Sequence, residues 1–547
     1  MTRTVNRDDA DEAEDSDDGE ALDAGEDGVD DSEEGLDGDI PDDERDALVT
    51  VAHGAVVTAG GISVQRVLTV GAETLLARSL GPVAYGVYAL AWRIAQLAFR
   101  FVTFGTVQTL QRYVPAAEGA SRGRVAGLAY ATTLVVGAAI AAGFLLVADP
   151  VDAATVTEPS FRPALVRFGV VVLAVGFVKV HAGLLRSVGS ARGEVVFNRV
   201  LRPAARLVAA AGAASLGYSV VGVAGALAAG LGLLALLGLP ATVSATGIRP
   251  TLRNARTELR RFFHHATPIA LSSVGKIFQN RVDVLLVSAL LTATATGVYN
   301  VVLVLVTVAW IPLQAFNQLL PPVASQLHAS GETETLNSVY TAVTRLVVTA
   351  VVPILAVQVV FGRALLSVFG PTYVRGYVPL VVYLGGVLTG SAVGATGWLL
   401  MMTDHQYARM ALDWLLAAIN VTLTYLFVVE FGLPGAALGT SVALAVQNVT
   451  QAFVLRRFEG LWPFDASFLK PLAAGVAMTG VMLLVRRALV GSLANSLAGL
   501  LTVGLGLVAG TGAYLATLAA LGVSDRDRLV VRELVGRYRR RVSTVTS

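Results

Sequence analysis

Several basic side chains lie inside long apolar segments of this sequence, where a charge is costly. Arg93 and Arg100 are two helical turns apart in one such segment, with Gln96 between them and Thr103 following. These spacings place all four on one face of a helix. A charged residue within a membrane-spanning helix typically faces the bundle interior or a water-filled cavity, and guanidinium groups bind phosphate oxygens through paired hydrogen bonds. We therefore predict that this face binds an anionic headgroup.

The same argument, applied to the other apolar segments, selects six residues for headgroup binding. They are Arg66, Arg93, Arg100, Lys179, Lys276 and Arg281. Two acids accompany them, because Glu73 lies seven residues after Arg66 and Asp283 lies seven residues after Lys276, on the same helix face in each case. Glu73 and Asp283 are candidates for binding a coupling ion or proton. An internal ion pair that only holds the helices together explains each of these pairs equally well.

Two further sets of charges have both structural and functional interpretations. Arg199, Arg202 and Arg206 lie at the start of a predicted helix, and their long side chains have the reach to extend to lipid headgroups. Asp413 is an isolated acid in another apolar segment, consistent with a cation site or with a packing partner. The sequence does not choose between these alternatives.

Sequence motifs for catalysis are missing from the chain. It has no cysteine, which excludes disulfides and thiolate metal sites. It contains no phosphate-binding loop ending in Gly-Lys-Ser/Thr and no His-Glu-x-x-His. We therefore predict a protein that is not an enzyme, with no catalytic residue, no metal site, no cofactor and no nucleic-acid partner.

The elements that carry these residues are predicted membrane-spanning helices. A composition of 54% hydrophobic and 15% charged residues, with a mean hydropathy of +0.65, is typical of a multi-pass membrane protein. A spanning helix needs about 20 apolar residues, and turn residues or charge clusters divide the chain into about fourteen such segments. They lie near residues 52–78, 84–110, 124–148, 163–187, 195–216, 219–245, 266–291, 296–324, 338–361, 378–402, 407–429, 434–456, 468–488 and 494–521. We predict an all-α polytopic membrane fold.

An internal repeat organises these helices. Arg66 and Glu73 match Lys276 and Asp283 at a constant offset, and after a one-residue shift Gly86-Val87-Tyr88 matches Gly297-Val298-Tyr299. Self-similarity of this kind indicates a duplicated structural unit, so we predict two pseudo-symmetric six-helix lobes and two further helices. The predicted organisation is a tail at 1–46, an N-terminal lobe at 47–246, a linker at 247–264, a C-terminal lobe at 265–458, two helices at 459–522 and a second tail at 523–547.

Charge is distributed unevenly along the chain. Residues 1–46 hold 22 of the 40 acidic side chains, and so polar a segment cannot bury a core, which predicts a disordered tail.

Arginines cluster in alternate loops, in the linker and in the C-terminal tail, and Lys and Arg are retained on the cytoplasmic side of a membrane. This pattern predicts a protein of the cell membrane with both termini in the cytoplasm. The acidic tail and the scarcity of lysine suggest a salt-adapted archaeon.

One stretch of the sequence resembles a known family. Arg78-Ser79-Leu80-Gly81-Pro82, followed by Tyr85-Gly86-Val87-Tyr88, is similar to the opening signature of polysaccharide biosynthesis flippases. These proteins belong to the multidrug, oligosaccharidyl-lipid and polysaccharide exporter superfamily. The later stretch Gly432-Leu433-Pro434-Gly435-Ala436-Ala437 agrees, so the resemblance covers about residues 50–520. It implies a V-shaped pair of lobes, made of helices 1 to 6 and 7 to 12, with two additional C-terminal helices.

The resemblance also implies a function. Proteins of this family move polyprenyl-linked or dolichyl-linked oligosaccharides across the cytoplasmic membrane by alternating access, for surface polysaccharide synthesis or protein glycosylation. The implied partners are the lipid-linked oligosaccharide, membrane lipids and glycosyltransferases or an oligosaccharyltransferase. The family supplies no shared set of ligand residues, so the six basic residues selected above depend on the charge argument alone.

Two alternatives are consistent with the same sequence. A drug or metabolite antiporter of the same fold is expected to have an acidic, aromatic cavity, which the basic residues disfavour. A membrane scaffold that assembles glycan enzymes without transport would use its polar residues for packing, and it would tolerate their replacement by neutral residues.

Overall fold

The computed structural model describes residues 41–155, 158–190, 196–278, 282–318, 320–490 and 496–522, and also Arg526, Arg528 and Arg532. The regular secondary structure in these ranges is helical, which confirms the predicted all-α class. Three predictions fall on residues outside the described set: the disorder of residues 1–40, the role of the Lys276 side chain and the role of Arg281.

The helices follow one another with short connections. Those of the first half are α1 (Asp42–Ala98), α2 (Thr106–Ala116), α3 (Ala120–Ala154), α4 (Phe161–Ser187), α5 (Arg202–Leu216) and α6 (Val220–Thr246), with a π-helical turn at Val196–Leu201 before α5. Those of the second half are α7 (Arg256–Phe278), α8 (Val282–Leu290), α9 (Ala293–Ala309), α10 (Ile311–Phe316), α11 (Leu320–Ala329), α12 (Thr333–Ser367), α13 (Tyr377–Ala392), α14 (Thr396–Met402), α15 (Gln406–Phe431), α16 (Leu433–Glu459), α17 (Leu469–Val490) and α18 (Ser496–Ala520). Short 3-10 helices at Pro371–Gly376 and Ala466–Phe468 precede α13 and α17.

Ten helical stretches in the described residues are long and apolar enough to cross a membrane. One of them, Ala47–Ala98, contains the first predicted segment and most of the second. Two other predicted segments, 195–216 and 296–324, are each divided into shorter helical pieces, and the segment at 266–291 includes residues 279–281, which lie outside the described set. The multi-pass class is therefore confirmed, while the count of fourteen spans stays a prediction.

Helix α1 contains the turn that the sequence predicts at Gly81-Pro82. Gly81 has φ 73° and ψ 171°, a conformation that glycine adopts without strain, and Pro82 has no backbone N–H to donate to the preceding turn. The helix is therefore kinked at this point. Its second part ends at Ala98 rather than near residue 110, and residues 99–105 form a series of turns before α2 begins.

The two repeated Gly-Val-Tyr motifs pack against each other close to this kink. A Cβ atom at Gly86 would lie 1.8 Å from the carbonyl oxygen of Ala293, and one at Gly297 would lie 2.7 Å from the carbonyl oxygen of Pro82. Only glycine permits so close an approach of α1 and α9. The repeat in the sequence is thus also the place where the two halves of the chain meet. We call the region around Gly81, Gly86 and Gly297 the Gly81 end of the bundle.

The N-terminal end of α1 differs from the prediction for the acidic tail. The helix begins at Asp42, so the last residues of the segment predicted to be disordered are helical. Glu44 is 3% exposed and accepts hydrogen bonds from Ser338 of α12 and from Arg526. These two contacts hold the start of α1 against the second half of the chain. The linker predicted at 247–264 is also shorter than expected, because α7 begins at Arg256.

Candidate functional site

A cavity of about 470 Å³ lies between the C-terminal part of α1, the middle of α4 and the first residue of α5. Its lining residues are Arg93, Gln96, Leu97, Phe99, Arg100, Lys179 and Arg202. Four of the described lining residues are basic and none of them is acidic. A concave surface of one charge sign concentrates ligands of the opposite sign, so the basic cavity favours an anion.

Arg93 is held in the basic cavity by two neutral acceptors. Its Nη1 donates to Gln96 Oε1 at 2.7 Å, and its Nη2 donates to Asn300 Oδ1 at 2.9 Å. Gln96 lies one turn further along α1, as the predicted polar face requires. Because these two amide oxygens carry no charge, they orient the guanidinium without cancelling its positive charge.

Lys179 reaches the basic cavity from α4 and caps the end of α1. A helix end leaves the carbonyl groups of its last turn without intrahelical partners, and a positive charge is favourable there. The Lys179 ammonium donates to the carbonyl oxygen of Phe99, the residue that follows α1, at 2.5 Å. Lys179 therefore stabilises the break after Ala98 and also contributes charge to the cavity.

Arg202 and Arg206 lie one turn apart on α5 and have different environments. Arg202 lines the basic cavity. Arg206 is 7% exposed, and its Nη2 donates to Glu73 Oε1 and to Tyr88 Oη, both at 2.6 Å. The Arg206 guanidinium also lies 3.9 Å from the centre of the Trp92 ring. Arg206 therefore forms an ion pair inside the bundle and does not extend to lipid headgroups.

The two acids predicted to bind a coupling ion are both buried and both bound by a tyrosine. Tyr85 Oη donates to Glu73 Oε2 at 2.9 Å, and Tyr299 Oη donates to Asp283 Oδ2 at 2.8 Å. The exposed fractions of Glu73 and Asp283 are 3% and 2%. The acids therefore correspond in the repeat and in burial, but Glu73 differs because it also forms the ion pair with Arg206.

The structure brings together three of the six basic residues that the sequence selected. Arg93, Arg100 and Lys179 line one cavity. Arg66 lies on an earlier part of α1, where its Nη2 donates to Gln314 Oε1 of α10 at 3.3 Å. The Lys276 side chain and Arg281 lie outside the described residues, so their assignment to the site stays a prediction, as does that of Arg66.

Sequence reasoning did not select Arg202 and Asn300. The four-residue spacing of Arg202 and Arg206 places both on one helix face. Charges within a spanning helix usually face the bundle interior, so this spacing indicated that Arg202 lies inside the bundle. For Asn300 the signal was its place directly after the second Gly-Val-Tyr motif, in an otherwise apolar segment. In neither case did the sequence identify which side chains of other helices lie next to the residue.

Asp413, which the sequence left open between a cation site and a packing partner, belongs to the second class. Its carboxylate accepts from Arg409 Nε at 2.8 Å, one turn earlier on α15, and from Gln447 Nε2 of α16 at 2.8 Å. A charged and a neutral donor thus satisfy the carboxylate and hold α15 against α16.

The fold and the basic cavity define the class of protein. A bundle of apolar helices, with a charged cavity in its interior, is a multi-pass membrane transporter. Residues 75–374 match the model of the polysaccharide biosynthesis protein family, and the chain belongs to this family.

Two solved structures share the fold. The lipid II flippase MurJ, in an inward closed conformation, superposes with a TM-score of 0.67 at 12% sequence identity, over 85% of this chain and 98% of that one. An inward-facing multidrug resistance MATE family transporter of the MOP superfamily superposes with a TM-score of 0.57 at 18% identity, over 76% of this chain and 94% of that one. At these identities the similarity concerns the fold alone, and it confirms the predicted superfamily fold.

One curated relative is similar in sequence. It is a probable low-salt glycan biosynthesis flippase, Agl15, from Haloferax volcanii, which is 23% identical over 217 residues. The match covers 40% of this chain and 45% of the relative, so the chain spans less than half the length of that protein. This similarity agrees with the family match.

Proposed function

We propose that the protein moves a lipid-linked oligosaccharide from the cytoplasmic to the outer leaflet of the cell membrane. The observation that carries this proposal is the basic cavity, in which Arg93, Arg100, Lys179 and Arg202 surround one space of about 470 Å³. The phosphate or pyrophosphate that joins a polyprenyl or dolichyl chain to a glycan is the anion such a lining suits. The names of the Haloferax volcanii relative and of MurJ, both flippases, support the same function.

In this mechanism the basic cavity binds the phosphate while the lipid tail stays in the bilayer. The two halves of the chain, related by the internal repeat, rock about their interface and expose the cavity to each side of the membrane in turn. The arginines supply forked donors for the phosphate oxygens, and the lysine adds a positive charge from the opposite wall. The glycan follows the phosphate, so export serves surface polysaccharide synthesis or protein glycosylation by the enzymes that build or transfer it.

We further propose that the buried acids take part in energy coupling. Glu73 forms an ion pair with Arg206, so exchange of a proton or cation there first requires the ion pair to break. Asp283 is bound by the Tyr299 hydroxyl and by the backbone amide of Val284. Among the residues that the structure describes, Asp283 forms no ion pair, so exchange at Asp283 needs no ion pair to break; Glu73 is its counterpart in the first repeat.

A second candidate function is an antiporter of drugs or metabolites, because the MATE transporter has a similar fold. The charge of the cavity opposes a cationic drug, since its described lining residues include four bases and no acid. An anionic metabolite would suit the cavity. The two functions are distinguished by whether the transported molecule needs a lipid tail.

The proposal is tested with purified protein in liposomes that contain a fluorescent lipid-linked oligosaccharide in both leaflets. Transport is measured as the fraction of label that becomes accessible to a membrane-impermeant quencher. The variants Arg100→Gln and Arg202→Gln each remove one charged donor from the basic cavity, worth about 1.5–3 kcal/mol, so we expect each to slow transport by about tenfold or more.

The control is Arg167→Gln, because Arg167 is an exposed residue of α4 that does not line the cavity. We expect this variant to transport at the rate of the parent. Equal transport by Arg100→Gln, Arg202→Gln and the parent would remove the basic cavity from the substrate path. Movement of a tail-free anion at the same rate as the lipid-linked glycan would favour the antiporter.

A further inference from the structure

A continuous chain of hydrogen bonds leads from the basic cavity to Glu73. Arg93 Nη2 donates to Asn300 Oδ1 at 2.9 Å, Asn300 Nδ2 donates to Tyr85 Oη at 2.7 Å, and Tyr85 Oη donates to Glu73 Oε2 at 2.9 Å. Every bond points the same way, from a cation to an anion, an arrangement in which successive bonds strengthen one another. Asn300 and Tyr85 are fully buried, so each depends on these partners.

The chain crosses the interface between the two halves of the protein at Asn300. Asn300 belongs to α9, while Arg93, Tyr85 and Glu73 belong to α1. Asn300 lies one turn after Gly297, and Tyr85 is next to Gly86, so these bonds adjoin the close glycine contact at the Gly81 end. The amide of Asn300 therefore fastens α9 to α1 at the place where the two Gly-Val-Tyr motifs meet.

An anion in the basic cavity competes directly with Asn300 for Arg93. The Arg93 guanidinium lines the cavity while its Nη2 donates to Asn300. In a bond from guanidinium to phosphate both partners are charged and two parallel N–H···O bonds can form, so it is stronger than a bond from guanidinium to a neutral amide oxygen. When Arg93 turns to the anion, Asn300 Oδ1 loses a donor in a buried setting, which is unfavourable. That loss weakens the closed contact at the Gly81 end.

We propose that Asn300 is a positioning residue that couples occupancy of the basic cavity to opening of the bundle at its Gly81 end. This inference rests on the proposed function, because it assumes an anionic ligand at Arg93. In the proposed topology the Gly81 end faces the outside of the cell. A phosphate bound from the cytoplasmic side thereby releases the contact that closes the exit.

The opening is measured as a distance between spin labels in the full chain, reconstituted in lipid. The chain has no cysteine, so Ser79→Cys and Ala289→Cys introduce two unique labelling sites at exposed positions, one in each half, near the Gly81 end. The probe ligand is inorganic pyrophosphate. In the parent we expect one short distance without pyrophosphate and a second, longer distance when pyrophosphate is added.

The variant Asn300→Leu keeps the branching of the side chain at Cγ but removes both bonds. Each hydrogen bond lost shifts an equilibrium by about two- to tenfold or more, so we expect the longer distance to be populated without pyrophosphate, at least about fivefold more than in the parent. Tyr85→Phe removes the bond from Asn300 and the bond to Glu73 but leaves Arg93 bound to Asn300, so it should shift the distances in the same direction by less. If Asn300→Leu does not fold, Tyr85→Phe tests the coupling in its place.

The matched control is Asn420→Leu. Asn420 is also buried, and it accepts hydrogen bonds from Thr424 and Thr440, all within the second half of the chain. We expect this variant to show the short distance alone until pyrophosphate is added, as in the parent.

Two kinds of result would overturn the inference, and only one of them also overturns the proposed function. The coupling is wrong, and the proposed function is unaffected, in either of two cases. In the first, calorimetry shows that pyrophosphate binds the parent but the distances do not change. In the second, Asn300→Leu and Tyr85→Phe keep the short distance. If pyrophosphate does not bind the parent at all, the anion site fails, and the proposed function fails with it.

Discussion

Glu73 and Arg206 show how a charge is accommodated inside this bundle. Their side chains are 4% and 9% exposed, with Arg206 Nη2 2.6 Å from Glu73 Oε1. Removing two charges from water is costly and is repaid only when the remaining donors and acceptors are satisfied. The hydroxyls of Tyr85 and Tyr88 provide those contacts. The ion pair fixes the rotation of α5, which places Arg202, one turn earlier, at the basic cavity.

We therefore expect Arg206→Met to destabilise the protein strongly. The substitution leaves Glu73 as an unpaired buried charge, which costs about 3–5 kcal/mol. The measurement is thermal unfolding of the purified protein in detergent, compared with the double variant Glu73→Gln/Arg206→Met. The double variant should recover most of the loss, since no unpaired charge is left. A single variant as stable as the parent would show that Arg206 is not needed to neutralise Glu73.

At the scale of the helices, the contact of α1 with α9 depends on two glycines. The absence of a Cβ atom at Gly86 and Gly297 allows the backbones to touch, and small residues at helix interfaces are how membrane helices approach closely. The kink at Gly81 directs the second part of α1 toward this contact. The same elements carry Tyr85 and Asn300, so backbone packing and hydrogen bonding reinforce each other at one place.

We expect Gly86→Ala to destabilise the closed bundle by about 1–3 kcal/mol, the usual cost of an overpacked core. The new methyl group would meet the backbone oxygen of Ala293 at 1.8 Å, and a backbone atom cannot move aside as a flexible side chain does. Gly385→Ala on α13 is the matched control, since no atom lies within 4 Å of its Cβ position. Equal unfolding temperatures for the two variants would contradict the close contact.

At the scale of the whole molecule, the distribution of arginine predicts which side of the membrane each connection faces. The start of α3 carries Arg122 and Arg124, and the connection between α6 and α7 carries Arg249 and Arg253. Arg124 forms an ion pair with Glu258 of α7. The last turn of α3 carries the acid Asp152, and the connection after it carries Glu158. Basic loops are retained in the cytoplasm, so the ends of α3 lie on opposite sides of the membrane in the proposed topology.

We test this orientation with single cysteines, which are unique labels in a chain that has no cysteine. Glu118→Cys and Ala154→Cys place one at each end of α3, both at exposed positions. In intact cells, a membrane-impermeant maleimide should label Ala154→Cys and leave Glu118→Cys unlabelled until the membrane is permeabilised. The opposite pattern would invert the proposed topology, and with it the side on which the Gly81 end opens.

The sequence by itself determined the all-α membrane class, the internal repeat, the turn at Gly81-Pro82 and three of the residues in the basic cavity. These follow from local properties: the length of apolar segments, the helical period, and the cost of placing Arg93, Arg100 and Lys179 in lipid. The tertiary structure alone decided that Glu73 pairs with Arg206, 133 residues away, and that Asn300 joins the two halves. Such partners depend on which helices pack together and at what rotation, and the helical period of one segment carries no information about its neighbours.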